Sequence, residues 1–162
     1  MNDAMPQGDV RPRGFYPRVL PFVRQPAEIR RATEADRPFV MELVKEKYPD
    51  RFMQGVPYVN WCLANPDRLV AVGPHSFGVA SAMWHYGFQR RGGISILCCR
   101  TTPGASFEVL RMVRFMLDWA KSAGCEGDFT MLEDTGVDFS PIVKRLGGRS
   151  RTVWRIPLGD TQ

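Results

Sequence analysis

No run of apolar residues in this sequence approaches the roughly 18–20 needed to span a bilayer, which argues against a membrane-spanning helix. Histidine is nearly absent, with only His75 and His85, and the four cysteines (Cys62, Cys98, Cys99, Cys125) include no C-x-x-C pair. Zinc needs three or four such ligands at short spacings, so no metal site is expected. Cys98 and Cys99 are adjacent in an apolar run, so in a strand they point to opposite faces and read as small core residues of a reducing compartment. A catalytic thiol would need a neighbouring base that the sequence does not display. The first residues, Met1-Asn-Asp-Ala-Met-Pro, lack both a basic n-region and an apolar h-region. No secretory leader is therefore expected, and a cytoplasmic location is.

What is present describes an ordinary globular chain. The 162 residues suit one domain, and 44% hydrophobic with 24% charged residues place it outside the disordered class. The net charge of +5 is unevenly spread, with Lys144, Arg145, Arg149, Arg151 and Arg155 close together and no acid among them. Such a surface suits a phosphorylated cofactor, nucleic acid or an acidic protein alike. No nucleic-acid motif accompanies it, so nucleic acid is the least favoured of the three.

Residues 1–27 hold Pro6, Pro12, Pro17, Pro21 and Pro26, four arginines and the aromatics Phe15, Tyr16 and Phe22. Prolines at this density forbid helix and central strand, which predicts an extended arm. The arm is more apolar than a free tail, and docking onto its own domain or another subunit is expected. The domain proper spans residues 28–162. Ile29-Arg30-Arg31 reads as a short strand, and Thr33 or Asp36 as the cap of a helix with Pro38 in its first turn. A second short helix is predicted over 56–64, then strands over 68–72, 77–84 and 94–99, with a turn at Arg90-Arg-Gly-Gly. Tight turns between consecutive strands imply an antiparallel meander.

A long helix follows from Phe107, polar only along Glu108, Arg111, Arg114, Asp118 and Lys121 and closed by Gly124. Apolar on most of its circumference, it is expected to lie buried against a sheet. A strand over 129–132, a short helix over 140–146 closed by Gly147-Gly148, and a strand over 152–158 complete the chain. Trp84, Trp119 and Trp154 read as core. The order β-α-α-β-β-β-α-β-α-β predicts an α/β (α+β) domain with a mixed, largely antiparallel sheet.

The most informative segment runs from Ile94 to Leu110. A buried strand passes through Arg100-Thr-Thr-Pro-Gly-Ala-Ser into a helix N-terminus, whose free amides and positive dipole end make an anion site. Thr102 as N-cap and Pro103 at the first helical position are expected to start that helix.

These motifs in this order resemble the GCN5-related N-acetyltransferase (GNAT) superfamily. Ile29-Arg-Arg-Ala-Thr-Glu-Ala-Asp-Arg-Pro resembles its first strand and helix cap. Arg100-Thr-Thr-Pro-Gly-Ala is similar to its acyl-CoA loop, Gln/Arg-x-x-Gly-x-Gly/Ala. Leu146-Gly147-Gly148 stands where the family has Leu-Gly-Phe. The resemblance covers residues 28–158. It implies acetyl-CoA as substrate, pantetheine beside Leu97, Cys98 and Cys99, and pyrophosphate held by the main chain from Arg100 through Gly104, Ala105 and Ser106. It also implies a carboxylate acting through water as base, and a tyrosine on the last helix as acid.

Three positions depart from the pattern. Pro103 replaces the first loop glycine, Val143 occupies the tyrosine's position, and the strand over 94–99 holds no carboxylate. His85, Glu133 and Asp134 are the candidate catalytic substitutes. Two functions therefore stay open. One is an acetyltransferase acting on an unknown amine. The other is a GNAT-fold structural or adaptor subunit without catalysis, similar to acetyltransferase-like proteins of tailed phages, docked through residues 1–27 into an assembly such as a virion. A homo-oligomer fits either.

Overall fold

The apolar pattern of residues 68–99 has little polar alternation, as expected of strands covered on both faces. The computed structural model describes residues 26–84, 88–131 and 140–149. Strand β1 (Arg30–Arg31) leads through a 3-10 turn at Glu34–Asp36 into α1 (Arg37–Lys47). A second 3-10 turn, Pro49–Arg51, feeds α2 (Phe52–Ala64). Then come β2 (Arg68–Val72), β3 (Ser76–Trp84), β4 (Arg90–Cys99), α3 (Ala105–Ser122), β5 (Thr130–Met131) and α4 (Ser140–Arg145). The sheet order is β1-β2-β3-β4-β5, antiparallel from β1 to β4, with β5 parallel to β4. The mixed, largely antiparallel α/β domain expected from the sequence is what the chain forms.

Each face of the sheet carries its own core. Phe39 and Leu43 of α1 and Val59 and Cys62 of α2 pack on Val70, Val72, Phe77 and Val79. Met112, Val113 and Met116 of α3 pack on Leu69, Ala71, Ala80, Ile94 and Leu97 from the other side. Cys98 faces the first core and Cys99 the second, as adjacent strand residues must.

The entry to α1 is fixed by one carboxylate. Asp36, 5% exposed, accepts from the Thr33 amide at 2.8 Å and the Thr33 hydroxyl at 2.9 Å. It also takes both arms of the Arg30 guanidinium, at 2.7 and 2.8 Å. The hydrogen-bonded guanidinium beside it holds its pKa at about 2.

Several sequence expectations are corrected. The helix read over 56–64 begins at Phe52, which packs on the α1/α2 core and continues the preceding 3-10 turn. The turn read at Arg90-Arg-Gly-Gly is strand, because β4 starts at Arg90. Gly92 lies within it where a Cβ would meet the Phe129 ring at 2.7 Å and Ala120 at 3.1 Å, so α3 and the chain before β5 can approach only a bare backbone. Trp84 is 70% exposed rather than core. The β2 ladder ends at Ser81, so among the described residues Trp84 has only β4 beside it. Trp119 is half-buried on the α3 side. Along α3, Arg111, Arg114, Asp118 and Lys121 form the exposed stripe, but Phe107 is exposed too and Glu108 turns inward. Trp154, the strand over 152–158 and the arm up to residue 25 lie outside the described residues.

Candidate functional site

Among the described residues β5 flanks only part of β4. The two strands pair at Gly93↔Thr130 and Ile94↔Met131. On the opposite edge of β4 the register runs Ala80↔Ile94 and then Val79↔Ile96, which makes Ser95 the extra residue of a β-bulge. A bulge leaves its extra residue unpaired and bends the strand. From Ser95 to Cys99 the β5-side edge of β4 has no partner strand among the described residues.

Ser95 is exposed, and α2 reaches over to it. Its hydroxyl donates to the Val79 carbonyl at 3.3 Å and accepts from the Tyr58 hydroxyl at 3.0 Å. Burial pushes the Tyr58 phenol above its usual range and keeps it protonated. The Tyr58 ring lies 5.9 Å from that of Trp61, the Arg68 guanidinium stacks 4.8 Å above Trp61, and Met83 Sδ lies 3.5 Å from Arg68. A wall of aromatic, thioether and guanidinium groups thus adjoins the bulge.

Further along β4, Leu97 is buried against α3 and Cys98 against α1. Burial raises all four thiols, Cys98 to about 11, so none is poised as a nucleophile at neutral pH. Arg100 is already engaged at both ends. Its amide donates to the His75 carbonyl at 2.9 Å. Its guanidinium grips Glu46 at 2.6 and 3.0 Å, reaches Glu42 at 3.1 Å, and lies over the Phe39 ring. The Arg100 side chain therefore fastens β4 to α1 and faces away from the α3 side.

The loop itself is a tight turn. The Ala105 amide donates to the Thr102 carbonyl at 3.0 Å, Pro103 takes the second position, and Gly104 has φ +85° and ψ 0°. These are the angles of a type II turn, which suits proline followed by glycine because only glycine adopts that φ freely. The N-cap of α3 is accordingly Gly104, not Thr102, and Pro103 stands outside the helix. The Gly104 carbonyl takes the Phe107 and Glu108 amides. The amides of Thr101, Thr102, Gly104 and Ser106 have no acceptor among the described residues. Thr102 Oγ1 is buried and unpartnered. A cluster of donors at the positive end of an 18-residue helix is suited to an anion. Glu108, one turn in, uses its carboxylate for the fold, accepting from the His75 amide at 2.8 Å and the Ser76 hydroxyl at 2.6 Å.

These features fit an acyl-CoA thioester. The β4 edge left without a partner strand among the described residues could offer backbone partners to a pantetheine amide, and the loop its amides and one unsatisfied hydroxyl to a pyrophosphate. Of the sequence candidates, Leu97, Cys98, Cys99, Gly104, Ala105 and Ser106 fall on this one path along β4 and its loop. His85, Glu133 and Asp134 lie outside the described residues. Val143 is half-buried on α4 and packs on the α3-side core. Among the described residues no group of three or more His, Cys, Asp or Glu is placed to hold a metal, and no helix is long and apolar enough to cross a membrane. Sequence reading missed Tyr58, Arg68 and Ser95, which are linked only where α2 packs across the sheet.

No protein-family model and no curated protein matches the sequence. Solved structures do. The apo aminoglycoside 6'-N-acetyltransferase AAC(6')-Ig from Acinetobacter haemolyticus superposes with a TM-score of 0.66 at 17% identity, covering 83% of this chain and 99% of its own. Glucosamine-6-phosphate N-acetyltransferase from Arabidopsis thaliana gives 0.60 at 15% identity, covering 82% and 98%. The aminoglycoside N-acetyltransferase AAC(6')-Iy in complex with CoA gives 0.60 at 14%, covering 82% and 95%. The chain shares the GNAT fold, as its motif order predicts.

Proposed function

We propose that this protein is an acetyl-CoA-dependent N-acetyltransferase. The observation that carries the reading is the continuity of two features: a β4 edge that has no partner strand from Ser95 onward among the described residues, and a loop before α3 whose Thr101, Thr102, Gly104 and Ser106 amides have no acceptor there. Acyl-CoA would lie along Leu97, Cys98 and Cys99, with its pyrophosphate on the amides of Gly104 and Ser106 and on Thr102 Oγ1. Ala105 would line the turn, and Arg100 would contribute its position rather than its charge. An amine acceptor would attack the thioester carbonyl directly in a ternary complex, forming the C–N bond as the C–S bond breaks. His85, Glu133 and Asp134 are proposed to handle the proton; in sequence the two acids come two and three residues after the end of β5, and His85 comes next after β3. The neighbours named as acetyltransferases, one of them in complex with CoA, support this class of reaction.

Thermal unfolding with and without acetyl-CoA tests the reading. Ligand at 100 times its Kd stabilises the native state by about 2.7 kcal/mol, which raises Tm by several degrees in a domain of this size. No rise at millimolar acetyl-CoA would overturn it.

A second reading, a GNAT-fold adaptor without catalysis, draws on Val143, which has no proton to give where the resemblance implies a tyrosine. It would dock through residues 1–27 into a larger assembly, such as a phage virion, or onto a second copy of itself. Removing residues 1–27 tests it, since unchanged assembly of the truncated chain would rule that docking out.

A further inference from the structure

Among the described residues five arginines are half-buried, namely Arg30, Arg37, Arg68, Arg90 and Arg100. Four of them face a carboxylate: Arg30 with Asp36, Arg37 with Glu34, Arg90 with Asp67, and Arg100 with Glu42 and Glu46. Arg68 has no carboxylate partner among the described residues. Its guanidinium lies over the Trp61 ring, 4.8 Å from the centroid, and the acceptor it meets is the weak one, Met83 Sδ. A guanidinium carries five donors in a planar fork matched to carboxylate or phosphate. Withdrawing one from water without an anion is costly, and the other four arginines follow that rule.

The place of this exception matters. Cross-strand pairing sets Arg68 beside Ser81 and Ser81 beside Gly93, so the three share one face of the sheet. At a strand spacing of roughly 4.8 Å, Arg68 stands about 10 Å from Gly93, which pairs with Thr130 of β5. Trp61 and Tyr58 bridge the interval and end at Ser95. Arg91, the cross-strand partner of Met83, adds an exposed cation two residues along the same face.

We infer that Arg68 is the recognition group for the amine acceptor, and that this acceptor carries an anionic group, a carboxylate or a phosphate, rather than being a polycation. The inference rests on the acetyltransferase reading for the word acceptor, but Arg68 as an anion site stands apart from it. The anion takes the guanidinium fork in place of the missing carboxylate, the acceptor's body lies against Trp61 and Tyr58, and its amine is presented beside Ser95. Charge complementarity does the selecting, because a polyamine would meet Arg68 and Arg91 with like charge.

The test follows the indole N–H resonance of Trp61 in the full-length protein, assigned by its loss in Trp61→Phe. Titration with O-phosphoethanolamine and with β-alanine separates phosphate from carboxylate recognition, with ethanolamine and spermidine as neutral-headed and polycationic controls. The anionic amines shift the resonance, and Arg68→Gln, which keeps the stem on Trp61, weakens that binding at least tenfold. With the better anionic amine as acceptor, the same variant raises KM by a similar factor while the acetyl-CoA-induced rise in Tm is retained. Binding of spermidine at lower concentration than either anion, no shift with the anions, or an unchanged Kd in Arg68→Gln would each overturn the inference. Absence of the acetyl-CoA effect on Tm in the wild type would instead overturn the acetyltransferase reading and leave the anion binding to be read directly.

Discussion

The Tyr58 hydroxyl donates to Ser95 Oγ across 3.0 Å, and Ser95 is the residue by which β4 is one longer than its neighbour β3. Residues 37 positions apart are joined where the ladder is irregular. The bulge frees the Ser95 hydroxyl from the face alternation of the strand, and α2 supplies the partner that holds it. The last described pairing of β4 with β5, Ile94↔Met131, lies one residue before the bulge.

Gly104→Ala forces a Cβ onto a residue at φ +85°, though no atom lies within 4 Å of the added methyl. The penalty is conformational, about 1 kcal/mol. The type II turn and the amides it aims move together, so the acetyl-CoA-induced rise in Tm is expected to shrink by more than the loss in basal Tm. Calorimetry of the variant with and without acetyl-CoA checks this.

Asp36 gives the protein an acid limit. Its pKa falls from the ordinary 3.8 to about 2 on folding, chiefly through the hydrogen bond from Arg30. A depressed folded-state pKa stabilises the protein above the unfolded value and loses its effect as pH drops through the folded one. About 2 kcal/mol is therefore present at pH 6 and disappears between pH 4 and pH 2. Asp36→Asn should be less stable than wild type at pH 6, with the two denaturant midpoints converging toward pH 2.

Glu108→Ala leaves the His75 amide and the buried Ser76 hydroxyl without their acceptor. A loss of about 1–3 kcal/mol is expected from urea unfolding. Glu108→Gln keeps an acceptor oxygen, and recovery of at least half of that loss would show that hydrogen bonding rather than charge matters here.

Gly78→Ala tests how closely α3 sits on the sheet. A Cβ there would lie 3.2 Å from the Ile96 carbonyl, with the Met116 methyl still nearer. The methionine end is flexible but the carbonyl is backbone, so about 1–3 kcal/mol is lost to overpacking. Gly78→Ala with Met116→Ala should recover part of what the two single substitutions cost together, as a double-mutant cycle would show.

Much of the fold was legible along the chain. Pro38 after Asp36, Gly124 past α3 and Gly147 past α4 stand at the helix ends, because capping and proline chemistry act within a turn of the backbone. The start of α3 was misread by two residues. Thr102-Pro103 satisfies the rules for a helix start as well as Pro103-Gly104 satisfies those for a type II turn, and both are local. Gly92 and Gly93 read as a turn for a similar reason. Only the bulk of Phe129 and Ala120 against β4 shows why a strand needs bare backbone there.

The sequence by itself determined the element order among the described residues, the covered sheet and the place of the turn before α3, all of which follow from hydrophobic periodicity and short-range backbone chemistry. Tertiary structure alone decided which charges are spent. It turned Arg100 toward Glu42 and Glu46, bent Glu108 inward onto Ser76, set Tyr58 over the Ser95 bulge, and left Arg68 on Trp61 without a carboxylate among the described residues. Whether a charged side chain meets a partner depends on strand register and on which helix covers which face, and neither is written within one turn of the chain.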